Sequence, residues 1–173
     1  MTVIGITGPT GAGKTTVLKE IEALGGAVID CDAVYHEMLE SDRALQESLE
    51  RAFGPLRDGQ GAIDRKKLGA LVFGDPAKLE RLNAIAQRAV VQRTRQMVKE
   101  NRSRGIGLTA IDAFALLESG LADLCTTTVA VLAPAEARVA RIMAREGISE
   151  DYAWARVRAQ RPDQFFAEGC AHI

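Results

Sequence analysis

Gly8-Pro-Thr-Gly-Ala-Gly13-Lys14-Thr15 carries the G-x-x-x-x-G-K-[ST] spacing of a phosphate loop, and it constrains this chain more than any other stretch. A short apolar run (Val3, Ile4, Ile6) precedes it, and helical spacing (Val17, Leu18, Ile21, Leu24) follows it. That strand–loop–helix setting is the context in which the motif has physical meaning. Glycines let the backbone close around a polyphosphate with successive N–H groups pointing inward, and the helix N-terminus adds unpaired donors and a positive dipole end. Gly8, Gly11, Ala12, Gly13, Lys14, Thr15 and Thr16 are the expected ATP-binding residues. Lys14 would reach the β- and γ-phosphates, and the Thr15 hydroxyl would ligate Mg²⁺.

A phosphate loop opening a strand–helix unit implies an α/β fold with a doubly wound parallel sheet. Four apolar runs are expected as strands: the first, Ala27–Ile29, Ile106–Ile111 and Thr127–Leu132. The first helix should stop at Gly25-Gly26. The second run ends in Asp30-Cys31-Asp32, and residues closing a parallel strand lie at the carboxyl edge, where open α/β sheets bind ligands. In the functional reading Asp32 is the base for an acceptor hydroxyl, and Asp30 holds Mg²⁺ or its water shell. In the plainer reading Asp32 caps the helix that follows. Asp112, ending the third run, resembles the magnesium-side aspartate of many phosphate-loop enzymes.

Between about 33 and 104 the chain shows helical spacing and no strand signal, with helix starts at Asp64 and at Asp75-Pro76. A doubly wound sheet normally returns to a strand within one helix, so this stretch reads as a helical, acceptor-holding insertion. Its second half is basic (Arg88, Arg93, Arg95, Lys99, Arg102, Arg104), which suits a solvated face or a passing anionic substrate. After the fourth strand, about 134–161 carries Arg138, Arg141 and Arg145 on one helical face, then Ser149 capping a second arginine-bearing helix. Two such helices suit a lid that closes guanidinium groups over phosphates and keeps water away. Arg141 and Arg145 are the strongest catalytic candidates there, beside Lys14 and Asp32. The expected organisation is one domain over 1–173: core at about 1–32, 105–133 and 162–173, insertion at 33–104, lid at 134–161.

Other classes are poorly served. A formal net charge of −1 gives no global reason to bind nucleic acid or membrane, and no apolar run approaches the length of a membrane span. Met1 leads almost at once into the first strand, which leaves no expected signal peptide. Cys31, Cys125 and Cys170 are odd in number, scattered and without a C-x-x-C pair, so reduced thiols in a cytoplasmic protein are the expectation.

The later blocks add specificity. The ordered series Asp30-Cys-Asp32, Phe53-Gly54, Asp64-Arg65 with Leu68-Gly69, Val72-Phe73, Leu82-Asn-Ala-Ile85, Asp112, Glu118-Ser-Gly120 and Arg141…Arg145-Glu-Gly-Ile-Ser149…Arg156…Gln160 resembles the dephospho-CoA kinase family over nearly the whole chain. The resemblance implies transfer of the ATP γ-phosphate to the ribose 3′-hydroxyl of dephospho-CoA, with Mg²⁺, as the last step of coenzyme A synthesis. It implies a base at Asp32, with Arg65 in the acceptor domain and Arg141 and Arg145 in the lid; Asp32, Arg65 and Asp112 are the expected substrate-binding residues, and Thr15 and Asp30 the expected metal ligands. The chain also departs from the family. Gln87-Arg88 stands where His-Pro is usual, which permits an unbroken helix; position 36 is His rather than Arg; and Phe114 and Leu117 stand where the family has proline and phenylalanine. The family also continues past Ile173 with a strand, an asparagine-containing turn and a helix, a region that borders the adenine in related kinases. The residues alone also fit a kinase for another small hydroxyl or nucleotide acceptor, or a nucleotide-binding regulatory ATPase.

Overall fold

A computed structural model describes all 173 residues. It separates into two compact units, Met1–Ile29 with Met97–Ile173, and Asp30–Gln96.

The first unit holds a four-stranded sheet of order β2-β3-β1-β4, with β1 at Thr2–Thr7, β2 at Ala27–Asp30, β3 at Leu108–Asp112 and β4 at Thr127–Ala130. Both β3 and β4 run parallel to β1, and the β1–β3 register sets Ile6 beside Asp112. The spatial order 2-3-1-4, in which the chain reverses its direction of winding about β1, is the doubly wound arrangement expected from the phosphate loop. Helix α1 (Lys14–Ala23) covers the sheet through Leu18 and Ile21, which cluster with Ile6 and Ala110. It ends as its glycines require: Gly25 takes φ +81°, and the amides of Gly25 and Gly26 donate to the carbonyls of Glu22 and Ile21 at 2.9 Å.

Two strand boundaries differ from the sequence reading. The third strand starts at Leu108 rather than Ile106, because the Ile106 amide closes the preceding helix on Asn101 O. The fourth ends at Ala130 rather than Leu132, although the Val131 amide still reaches Thr7 O at 2.9 Å. Beyond β4 come α6 (Ala135–Glu146), α7 (Glu150–Arg158) and α8 (Asp163–Gly169). Val139 and Ile142 of α6 bury against Ala153 and Val157 of α7, which makes the pair a hairpin with its own apolar seam. Ser149 caps α7 through the Tyr152 amide.

The second unit, Asp30–Gln96, is helical. Helices α2 (Cys31–Ser41), α3 (Arg43–Phe53) and α4 (Arg65–Val72) are short, and each is started by an aspartate: Asp30, Asp42 and Asp64. Each carboxylate accepts backbone N–H groups that a helix start leaves without partners. Leu49 and Leu56 are fully buried, and Leu45, Ile63, Leu68 and Val72 nearly so. Each such side chain contributes about 1.5–3 kcal/mol by leaving water. Helix α5 runs unbroken from Pro76 to Ser103, straight through Gln87-Arg88, as the missing proline permits. The chain contains no helix long and apolar enough to cross a membrane.

Candidate active site

The phosphate loop takes its shape from glycines whose conformations no other residue adopts cheaply. Gly8 sits at φ +141°, and a Cβ there would stand 2.2 Å from the backbone oxygen of Val131. The close approach of the chain just past β4 therefore demands glycine at this point. Gly13 directly precedes α1 with φ +111° and offers no side-chain cap, so the first N–H groups of that helix have no capping side chain on them. Lys14 Nζ donates to Gly8 O at 2.8 Å, which bends the lysine back across the loop. Thr15 and Thr16 are exposed on the first turn of α1.

The first unit also brings Asp112 and the arginine hairpin to this loop. Asp112 ends β3 one register step from Thr7, its Oδ1 is buried, and Thr7 Oγ1 donates to Phe114 O just beyond it. Arg141 lies against the loop: its Nη1 donates to Gly11 O and Ala12 O, both at 3.0 Å. Arg145 points elsewhere, pairing with Glu146 at 2.6 Å, and Glu146 also binds Arg156. These hydrogen bonds from Arg145 and Arg156 hold the Glu146 carboxyl below the ordinary carboxylate value. The two lid arginines singled out by sequence thus have different surroundings.

In the second unit, Asp30 rather than Asp32 is the cap of α2. Asp30 Oδ1 accepts from the amides of Asp32 and Ala33 at 2.9 and 3.0 Å. The sequence-level alternative in which Asp32 caps that helix is thereby corrected: Asp30 still has extended backbone, φ −83° and ψ 107°, whereas Cys31 is already helical. Asp32 sits in the first turn, exposed, with no capping duty. Arg65 opens α4, exposed, close enough to Tyr35 for its charge to act on the phenol. Burial pushes the Tyr35 hydroxyl up from its ordinary value, and Arg65 pulls the other way. His36 is exposed beside Tyr35, with ring centroids 6.0 Å apart.

Two residues escaped the sequence reading as loop partners. Arg138 is buried and donates to Thr10 O, and Gln160 accepts from the Thr10 amide. The i, i+3, i+7 spacing of Arg138, Arg141 and Arg145 announced a common face, but nothing in it said which arginine would be buried.

The chain is similar to known proteins over nearly its whole length. The family model described as dephospho-CoA kinase matches residues 2–165. The dephospho-CoA kinase of Dehalococcoides mccartyi is 36% identical over 164 residues, 94% of this chain and 82% of that protein. That of Carboxydothermus hydrogenoformans is 37% identical over 161 residues, 92% of this chain and 78% of that protein. Among solved structures, TT1252 from Thermus thermophilus superposes with a TM-score of 0.76 at 35% identity, covering 99% of this chain and 86% of that one. At 20% identity, dephospho-CoA kinase from Campylobacter jejuni still gives a TM-score of 0.69 over 99% of this chain and 86% of that one, which speaks for the fold. With a family model spanning nearly its full length, this chain belongs to the dephospho-CoA kinase family.

Proposed function

We propose that the protein transfers the γ-phosphate of ATP to the ribose 3′-hydroxyl of dephospho-CoA, closing coenzyme A synthesis. The observation that carries this reading is the family match over residues 2–165, on a chain whose phosphate loop and lysine are intact. In this reading the amides from Gly11 to Thr16 bind the phosphates, and Lys14 exchanges its contact with Gly8 O for the β- and γ-phosphate oxygens. Asp32, exposed and without a capping role, orients the 3′-hydroxyl and takes its proton. The new bond forms between that oxygen and the γ-phosphorus while the β–γ bridging bond breaks, with ADP leaving. Arg65 and Asp112 contact the acceptor. Arg141, already on the loop rim, and Arg145 counter the charge of the transferring group and keep water away.

Magnesium suits the oxygen donors present. Thr15 offers a hydroxyl, and Asp30 has Oδ2 besides the Oδ1 that caps α2. No cluster of three or more His, Cys, Asp or Glu side chains forms a closed metal cage. An ion that keeps its waters and leans on substrate phosphates fits such a donor set. When bound, Mg²⁺ would supply positive charge against the phosphates.

The test is ADP release by the purified protein with ATP and Mg²⁺. Release that depends on dephospho-CoA and yields coenzyme A supports the reading. Dependence on a different hydroxyl compound, or release indifferent to any acceptor, refutes it.

A further inference from the structure

Thr10, the third residue of the phosphate loop, is held at both of its backbone polar groups by side chains more than a hundred residues away. Arg138 Nε donates to Thr10 O at 3.1 Å, and Gln160 Oε1 accepts from Thr10 N at 3.0 Å. The two clamping side chains are tied together, since Arg138 Nη2 donates to the same Gln160 Oε1 at 2.8 Å. Arg138 Nη1 reaches Asp163 Oδ1 on α8 at 3.2 Å. With only 4% of Arg138 exposed, its charge has little water to fall back on, so every direction of the guanidinium is met by an acceptor. The backbone of α6 comes as close as the side chain: a Cβ on Gly11 would stand 2.9 Å from Arg138 O.

We infer that Arg138 and Gln160 are positioning residues for nucleotide binding, which rests on the ATP-dependent reading above. Neither needs to touch the nucleotide. With the Thr10 N–H and C=O both engaged, the crown of the loop cannot rotate its peptide planes. The amides that follow, from Gly11 onward, therefore stand in their phosphate-accepting arrangement before ATP arrives. Without the clamp, ATP itself would have to order the loop, and its affinity would fall by the cost of that ordering.

Gln160 is the better handle, because Arg138 is itself buried and its removal would leave a cavity and risk the fold. Gln160→Met keeps length and volume but deletes the acceptor, whereas Gln160→Glu keeps an oxygen for both donors. Binding of MgATP to the full-length chain is measured by calorimetry without any acceptor, next to the melting temperature of the nucleotide-free protein. Loss of the hydrogen bond from the Thr10 amide predicts ATP binding about tenfold weaker for Gln160→Met. Gln160→Glu should stay within about twofold of the parent. Unchanged ATP affinity in Gln160→Met, even with a lowered melting temperature, overturns the inference by reducing Gln160 to packing. Equal weakening in both variants overturns it too, since the retained acceptor should have rescued binding. The acceptor substrate does not enter this measurement, so a failure of the dephospho-CoA reading would show separately.

Discussion

Replacing Gly8 by alanine probes the tightest contact in the loop, and its cost can be worked from the geometry. The φ of +141° imposes strain of about 1–2 kcal/mol on a residue with a Cβ. The new methyl would also lie 2.2 Å from the Val131 carbonyl, a backbone atom with no rotamer to change. Relief requires β1 and β4 to part at their carboxyl ends, where Val131 N binds Thr7 O. Overpacking of this kind adds about 1–3 kcal/mol, for a total of about 2–5. Gly25→Ala is the matched control: its φ of +81° brings comparable strain, but no heavy atom lies within 4 Å of the added carbon. In urea, with a slope of about 2 kcal/mol/M, Gly8→Ala should unfold about 0.5–1.5 M earlier than Gly25→Ala. Gly8 O is also the acceptor for Lys14, so ATP affinity should fall in the first variant and hold in the second. Coincident urea midpoints would refute the assignment of a steric cost to the Val131 contact.

Asp32→Asn should leave ATP affinity and stability nearly intact while turnover with the acceptor collapses; lost ATP affinity with surviving turnover would make Asp32 a metal or structural group instead. Asp30→Ala removes an acceptor shared by two amides and should lower stability by about 0.5–2 kcal/mol, read by chemical denaturation; an unchanged midpoint contradicts its capping role. Glu146 has a lowered pKa in the folded protein, so its ion pairs contribute fully above the unfolded carboxylate value and are lost as pH falls through the lower folded one. Glu146→Gln should therefore narrow the stability difference between neutral and acidic pH, and identical pH–stability curves for parent and variant would count against the pairs.

The phosphate loop was legible because glycine spacing is itself the physical requirement: Gly8 and Gly13 occupy conformations that the residue type announces. Helix starts at Asp64, Asp75-Pro76 and Ser149 were equally open, since a capping side chain acts within three residues of itself. The Asp30–Asp32 pair was not, because two aspartates two residues apart are equivalent until the backbone decides which lies outside the helix. Ile106 read as strand because it is apolar and follows a glycine, yet its amide was needed to end α5. Arg138 was legible as a helix-face residue and illegible as a clamp. Its partners, Thr10 and Gln160, are distant along the chain, and burial, the property that sets it apart from Arg141, belongs to the folded state.

The last residues of the chain bear on how the sheet keeps to itself. His172 forms a parallel bridge with Val129: its amide donates to Thr128 O, and its carbonyl accepts from Ala130 N. The Ala171 amide adds a contact to Thr128 Oγ1. Without this short cover, β4 would offer a row of unsatisfied amides and carbonyls to any extended peptide that drifted past.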